Sequence, residues 1–247
     1  MLVGCLSFSQ VSLSQVTVTH ESSPIKTRAI VDMTSASIQR GNTLTNGPSL
    51  QPSLWVFSSY GFGAGVWGSM SLQDKSQTNR VFFEQNAGEF QKIDLYLYYK
   101  VPTPDTIKFE LVYAQYIYPE KNLLPDSTIR DSIAKFSLPV FLNPFVSVAY
   151  GLSDPIKRDI YAELGVQQAV FQEDAHSITA SALTSYRNPY ISSPSKQEGN
   201  GHSLVTLAYG YQGLKLAVNY IREGKKSVLD TTKATEFSTT AGYTAWF

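Results

Sequence analysis

The chain has 247 residues, and its 20 Lys plus Arg balance its 20 Asp plus Glu, so it offers nucleic acid no overall field to follow. Its single cysteine, Cys5, excludes an internal disulfide, and no stretch of about 18 apolar residues exists to cross a membrane as a helix. Its 15 Tyr, 13 Phe, 16 Gly and 12 Pro describe instead many short strands separated by turns.

Residues 1–13 (MLVGCLSFSQVSL) read as a clipped signal sequence, with small Ser12 and Ser14 ahead of a cleavage before Gln15. The segment lacks a positive n-region. Leu2-Val3-Gly4-Cys5 has the form of a lipobox close to the start, and an ordinary first strand is the third reading. The signal is assigned to 1–14 and a periplasmic lead-in to 15–27.

From there a two-residue alternation predicts about twelve strands, at 28–39, 49–58, 62–72, 90–101, 106–117, 130–138, 145–152, 159–171, 177–186, 202–211, 214–222 and 235–247. The clearest is 92–100 (KIDLYLYYK). Ile93, Leu95, Leu97 and Tyr99 share one face, and Lys92, Asp94, Tyr96, Tyr98 and Lys100 the other. Beyond a Pro-Asp turn, Phe109, Leu111, Tyr113 and Ile117 alternate with Lys108, Glu110, Ala114 and Tyr116, which completes a hairpin.

The connections alternate in length. Those at 40–48, 73–89, 118–129, 153–158, 187–201 and 223–234 are long and polar, whereas those at 59–61, 102–105, 139–144, 172–176 and 212–213 are tight. A soluble sandwich has no reason to keep every second connection short, but a membrane barrel does, with short periplasmic turns and longer loops outside. Hydrocarbon allows only helices or closed sheets, because every backbone polar group must find a partner within the protein. The expected fold is therefore all-β: a single closed antiparallel up-and-down transmembrane β-barrel over 28–247, with 10–14 strands, in the bacterial outer membrane.

On this register an aromatic girdle is expected from Phe62, Tyr99, Phe109, Tyr211, Tyr243 and Phe247 at the short-turn ends, with Tyr150 and Tyr220 at the long-loop ends. The lumen is assigned Arg28, Asp32, Lys92, Asp94, Lys100, Lys108, Glu110, Asp131, Lys135, Glu163, Lys215 and Arg222. Two readings of these charges stand side by side. They form an eyelet that selects solutes by size and field, or neighbours such as Lys108 and Glu110 against Lys92 and Asp94 pair and fill the interior.

A hydrolytic barrel would need a His–Ser pair near the outer rim. His20 precedes the barrel and His176 falls in a predicted periplasmic turn, which leaves His202 beside Ser203, and adjacent strand residues face opposite ways. No enzyme activity and no cofactor is expected. No metal motif is present either; the loop acids Asp74, Glu84 and Glu89 read as solvated ahead of weak contact with Ca²⁺ or lipopolysaccharide-bridging cations. Val81-Phe82-Phe83 reads as a barrel-wall extension or as an inward plug.

Three stretches carry a resemblance. Residues 33–69 (MTSASIQRGNTLTNGPSLQPSLWVFSSYGFGAGVWGS), with Arg40-Gly41 and the GAGVWGS run at 63–69, resemble the opening of the TorF-type porins. Ile93-Asp94-Leu95-Tyr96 and Tyr116-Ile117-Tyr118-Pro119 are similar to strands that follow in that family, and 242–247 (GYTAWF) resembles a C-terminal signal for the barrel-assembly machinery, through Tyr243 and Phe247. The Tyr- and Ser-rich middle departs from that pattern, as does Ala245 where the signal often has an aromatic. The resemblance implies a small barrel with a passive transport role. The expected partners are outer-membrane lipid and lipopolysaccharide, the assembly machinery, and small hydrophilic solutes or ions, with the barrel a monomer. A non-conducting surface barrel whose loops bind lipopolysaccharide or a partner is the alternative, and an outer-membrane lipid hydrolase is the third reading.

Overall fold

A computed structural model of the chain describes residues 24–40, 42–45, 47–73, 87–119, 128–153, 156–188, 199–223 and 237–247. In chain order the strands are β1 (Ile25–Thr34), β2 (Ser37–Gln39), β3 (Asn42–Thr45), β4 (Ser49–Ser58), β5 (Phe62–Ser71), β6 (Phe90–Val101) and β7 (Lys108–Ile117). They continue as β8 (Thr128–Ser137), β9 (Phe145–Gly151), β10 (Ile160–Glu173), β11 (His176–Asn188), β12 (Gly199–Tyr211), β13 (Leu214–Glu223) and β14 (Phe237–Trp246).

Twelve of them, all but β2 and β3, form one closed antiparallel barrel in which β1 is flanked by β14 and β4. Closure is made residue by residue. Arg28 lies opposite Trp246 and Thr34 opposite Thr240, and Thr27 and Phe247 exchange backbone hydrogen bonds of 3.0 and 2.9 Å. With no edge left, each wall strand is paired on both sides, as a hydrocarbon environment requires.

Alternation sorts the side chains. Val31, Leu54, Val66, Leu95, Leu97, Leu111, Val148, Leu164, Val205, Leu207, Leu216 and Val218 point outward and are exposed, an apolar belt that only lipid can cover. Ser53, Trp55, Trp67, Lys92, Asp94, Tyr96, Tyr116, Asp131, Tyr161, Glu163 and Thr206 point inward and are buried. No helix among the described residues is long and apolar enough to cross a membrane; this barrel crosses with strands. The chain is an outer-membrane β-barrel.

The structure departs from expectation at the first strand. The predicted strand at 28–39 is two elements: β1 begins earlier, at Ile25, and leaves the wall after Thr34. There Thr34 Oγ1 donates to the Ala36 carbonyl (2.8 Å), a local side-chain bond that competes with the ladder and turns the chain inward. The small residues Ser35 and Ala36 permit that turn, and β2 pairs with β3 as a separate two-stranded hairpin. Elsewhere the β10–β11 hairpin runs longer than predicted, taking in His176, with a bulge between Ala169 and Phe171.

Candidate functional site

The hairpin β2–β3 lies inside the barrel and touches its wall on three sides. On one side, Ser37 Oγ accepts hydrogen bonds from Gln51 Nε2 on β4 (3.1 Å) and Ser69 Oγ on β5 (3.2 Å). On a second side, Ile38 packs against Leu183, Leu204 and Ile221 of β11, β12 and β13. On the third, Arg40 sits at the tip with φ +48°, a left-handed turn uncommon for a residue with a side chain. Its Nη2 donates to Asp131 Oδ2 on β8 at 2.8 Å, and its guanidinium lies over the Tyr161 ring of β10 at 4.3 Å.

Around this tip the interior is a dense polar layer. Lys92 Nζ and Tyr96 OH both donate to Asp94 Oδ2, at 2.9 and 2.6 Å, and the Lys92 ammonium lies 4.1 Å from the Tyr116 ring centre. Tyr161 OH donates to Glu163 Oε1 at 2.8 Å. Arg40, Lys92, Asp94, Tyr116, Asp131 and Glu163 are each no more than 4% exposed, so solvent reaches almost nothing at this level. Burial alone would lower the Arg40 pKa, but Asp131, with Tyr116, Tyr161 and Glu163 around it, holds it above the ordinary guanidinium value. The hairpin therefore carries a fixed positive charge into the long-loop half of the lumen.

The periplasmic half of the lumen differs in kind. The Arg28 guanidinium lies 5.9, 5.2 and 5.3 Å from the ring centres of Trp55, Phe57 and Trp246, and Trp55 stacks on Tyr96 at 5.3 Å. Room for these rings comes from the GAGVWGS run. A Cβ on Gly63 would strike the Tyr98 ring, and one on Gly65 the Trp55 ring. Further round, Lys215 and Asp32 form an ion pair at 2.6 Å, Lys135 lies over the Phe145 ring at 5.2 Å, and Lys100 and Lys108 are exposed at the mouth.

Most residues assigned to the lumen do face inward, but two expectations are corrected. Arg222 is on the outer face, sharing the parity of Leu216, Val218 and Tyr220 and lying opposite outward Ser203; two-residue alternation forbids it from joining Lys215 inside. The charges of β6 and β7 also pair differently. A hairpin places residues equidistant from its turn opposite one another, so Glu110 faces Lys100, and Lys92 takes Asp94 two residues along its own strand. Sequence reasoning overlooked Arg40 as a lumen residue because it read that position as the start of the long outer connection at 40–48.

The girdle residues lie as follows. Phe62, Tyr99, Phe109, Tyr211, Tyr243 and Phe247 are on the outer face near the short turns, with Phe62 and Tyr99 stacked at 4.5 Å. Tyr150 and Tyr220 are on the outer face near the long loops. His202 faces inward and Ser203 outward. The partner of His202 is instead Ser185 on β11, whose Oγ lies 2.7 Å from Nδ1. Both are buried behind Tyr161, which stacks on the imidazole at 6.5 Å, so this pair meets no lipid. His176 lies on β11, with Nδ1 2.7 Å from the Tyr209 hydroxyl. Among the described residues no three His, Cys, Asp or Glu gather as a metal site; Cys5, His20, Asp74, Glu84 and Val81-Phe82-Phe83 lie outside those residues.

With this geometry in place, comparison with known proteins gives a family. The model of a bacterial family described as proteins of unknown function (Gcw_chp) matches residues 19–242. The chain belongs to that family. No curated protein matches the sequence. Among solved structures the chain is similar to the NanC porin, at 11% identity and a TM-score of 0.52, covering 89% of this chain and 99% of that one. At so low an identity the likeness speaks to the barrel fold. Also found are an outer-membrane channel from Pseudomonas putida F1 (10% identity, TM-score 0.47, 94% and 99% covered) and the translocator domain of the autotransporter NalP from Neisseria meningitidis (10%, 0.46, 93% and 90%).

Proposed function

We propose that this Gcw_chp protein is a monomeric, narrow outer-membrane channel for small hydrophilic solutes or ions, held closed at rest by the β2–β3 hairpin. The observation that carries the reading is the Arg40–Asp131 contact, a buried ion pair at the tip of a separate hairpin that reaches the far wall of a polar lumen. A hairpin tied to the wall by side chains can leave it without breaking the barrel ladder. Arg28, Lys100, Lys108, Lys135 and Glu110 would then line the periplasmic passage and set its selectivity. The TorF-like porin features and the C-terminal strand, as a handle for the assembly machinery, belong to the same reading. The buried latch also favours a non-conducting surface barrel, in which the hairpin never leaves.

Conductance separates the two. The purified, folded protein in a planar bilayer should show rare, small openings, and Arg40→Ala should raise the open probability at least about tenfold, since breaking a buried ion pair is worth well over the ~1.4 kcal/mol that a factor of ten requires. Restored closure in the charge-swapped pair Arg40→Asp with Asp131→Arg would tie the effect to the latch. No current from either the parent or the Arg40→Ala protein would sink the channel reading.

A further inference from the structure

We propose that the outer rim over β8–β10 binds a phosphate of the outer leaflet's phosphorylated glucosamine lipid (lipid A), held between Arg130 and Arg158. The inference rests on the barrel's orientation and is independent of conduction.

The register sets the two arginines in place. On the outer face, Tyr113, Ser132, Tyr150 and Ile160 form one cross-strand row over β7, β8, β9 and β10. Tyr150 in it is exposed at the long-loop end, where amphipathic rings sit at headgroup depth, and Tyr113 is exposed at mid-strand. The next row toward the loops contains Gln115 opposite Arg130, then Leu152, whose N–H donates to the Arg130 carbonyl at 2.9 Å. Arg158 lies in the turn just before β10, and its N–H donates to the Gly151 carbonyl of β9 at 2.8 Å. Arg130, Lys157 and Arg158 are all exposed. The backbones of the two arginines therefore flank β9 on its two sides, about two strand spacings or roughly 10 Å apart.

The connection carrying Arg158 is fixed at both ends. Ile156 is buried and donates to the Ser153 carbonyl at 3.0 Å, and Ser153 Oγ accepts from Arg130 N at 2.9 Å. Arg158 itself adopts φ +70° and is exposed, while the next residue, Asp159, is buried. A cation one row beyond the girdle residue Tyr150, above an apolar belt, meets the lipid phosphate plane. Guanidinium groups suit that partner because they bind phosphate bidentately. Long connections mark this side as extracellular, so the phosphate it meets is that of the glycolipid leaflet.

The test uses the delipidated full-length barrel in neutral detergent, titrated with lipid A, dephosphorylated lipid A or phosphatidylglycerol and read by native mass spectrometry. Lipid A should bind the parent, and the double variant Arg130→Ala with Arg158→Ala should bind it at least about tenfold more weakly, the loss of one strong charge-assisted contact. Arg222→Ala, on another arc, should bind as the parent does. Undiminished binding by the double variant would overturn the proposal, and so would equal binding of dephosphorylated lipid A. Phosphatidylglycerol binding as tightly as lipid A would overturn the assignment to the outer leaflet. Should the double variant fail to migrate as a folded, heat-modifiable barrel, the single exposed change Arg130→Gln decides, with a several-fold loss expected and none contradicting.

Discussion

Single residues in this barrel are chosen by what the neighbouring strand lays against them. Gly65 shows why the GAGVWGS run takes its form: the Trp55 ring from β4 lies across the position where its Cβ would stand, and Tyr98 does the same over Gly63. A Gly65→Val protein must displace an indole that also stacks on Tyr96 and lies beside Arg28. It should lose about 1–3 kcal/mol, the usual cost of overpacking, seen as a lower urea midpoint for the barrel folded in vesicles. An unchanged midpoint would mean that the ring has somewhere else to go. The glycines themselves stood out in the sequence, but not the rings they receive, because Trp55 comes from the preceding strand and Tyr98 from the following one.

At the level of elements, β6 and β7 were the most legible part of the chain. Their alternation is strict, their turn is marked by proline, and the predicted span 90–101 coincides with β6. Their charges were harder to pair, since register across a hairpin counts from the turn, and the turn here closes two residues later than predicted. The Lys92–Asp94 pair is fully buried, so removing Asp94 takes away the carboxylate to which Lys92 Nζ donates at 2.9 Å. Asp94→Leu alone should cost about 3–5 kcal/mol in urea unfolding, and adding Lys92→Met should recover most of that loss. A double variant as unstable as the single would show that the cost is packing. The β2–β3 hairpin was the least legible element. Ser37 and Ile38 continue a strand-like alternation, and only contacts with five distant strands turn them inward.

For the whole molecule the governing fact is which solvent each face meets. Leu97 stands outward near the middle of β6 and is 61% exposed, so an arginine there would sit in hydrocarbon. Leu97→Arg should destabilise the barrel by ~2–4 kcal/mol, whereas Phe62→Arg, at the short-turn end, should cost only ~0–1 kcal/mol. Equal costs at the two depths, measured by unfolding from vesicles, would contradict the orientation of the belt. The sequence by itself determined the barrel class, the twelve wall strands and the long-short rhythm of their connections, because alternation and turn chemistry are local and lipid imposes one apolar face. Only the tertiary structure decided that the first connection returns into the lumen and that Arg40 meets Asp131, 91 positions away. It also decided that Arg130 and Arg158 share a rim. Those relations depend on how strands stagger around a closed sheet, and no local period in the chain records that stagger.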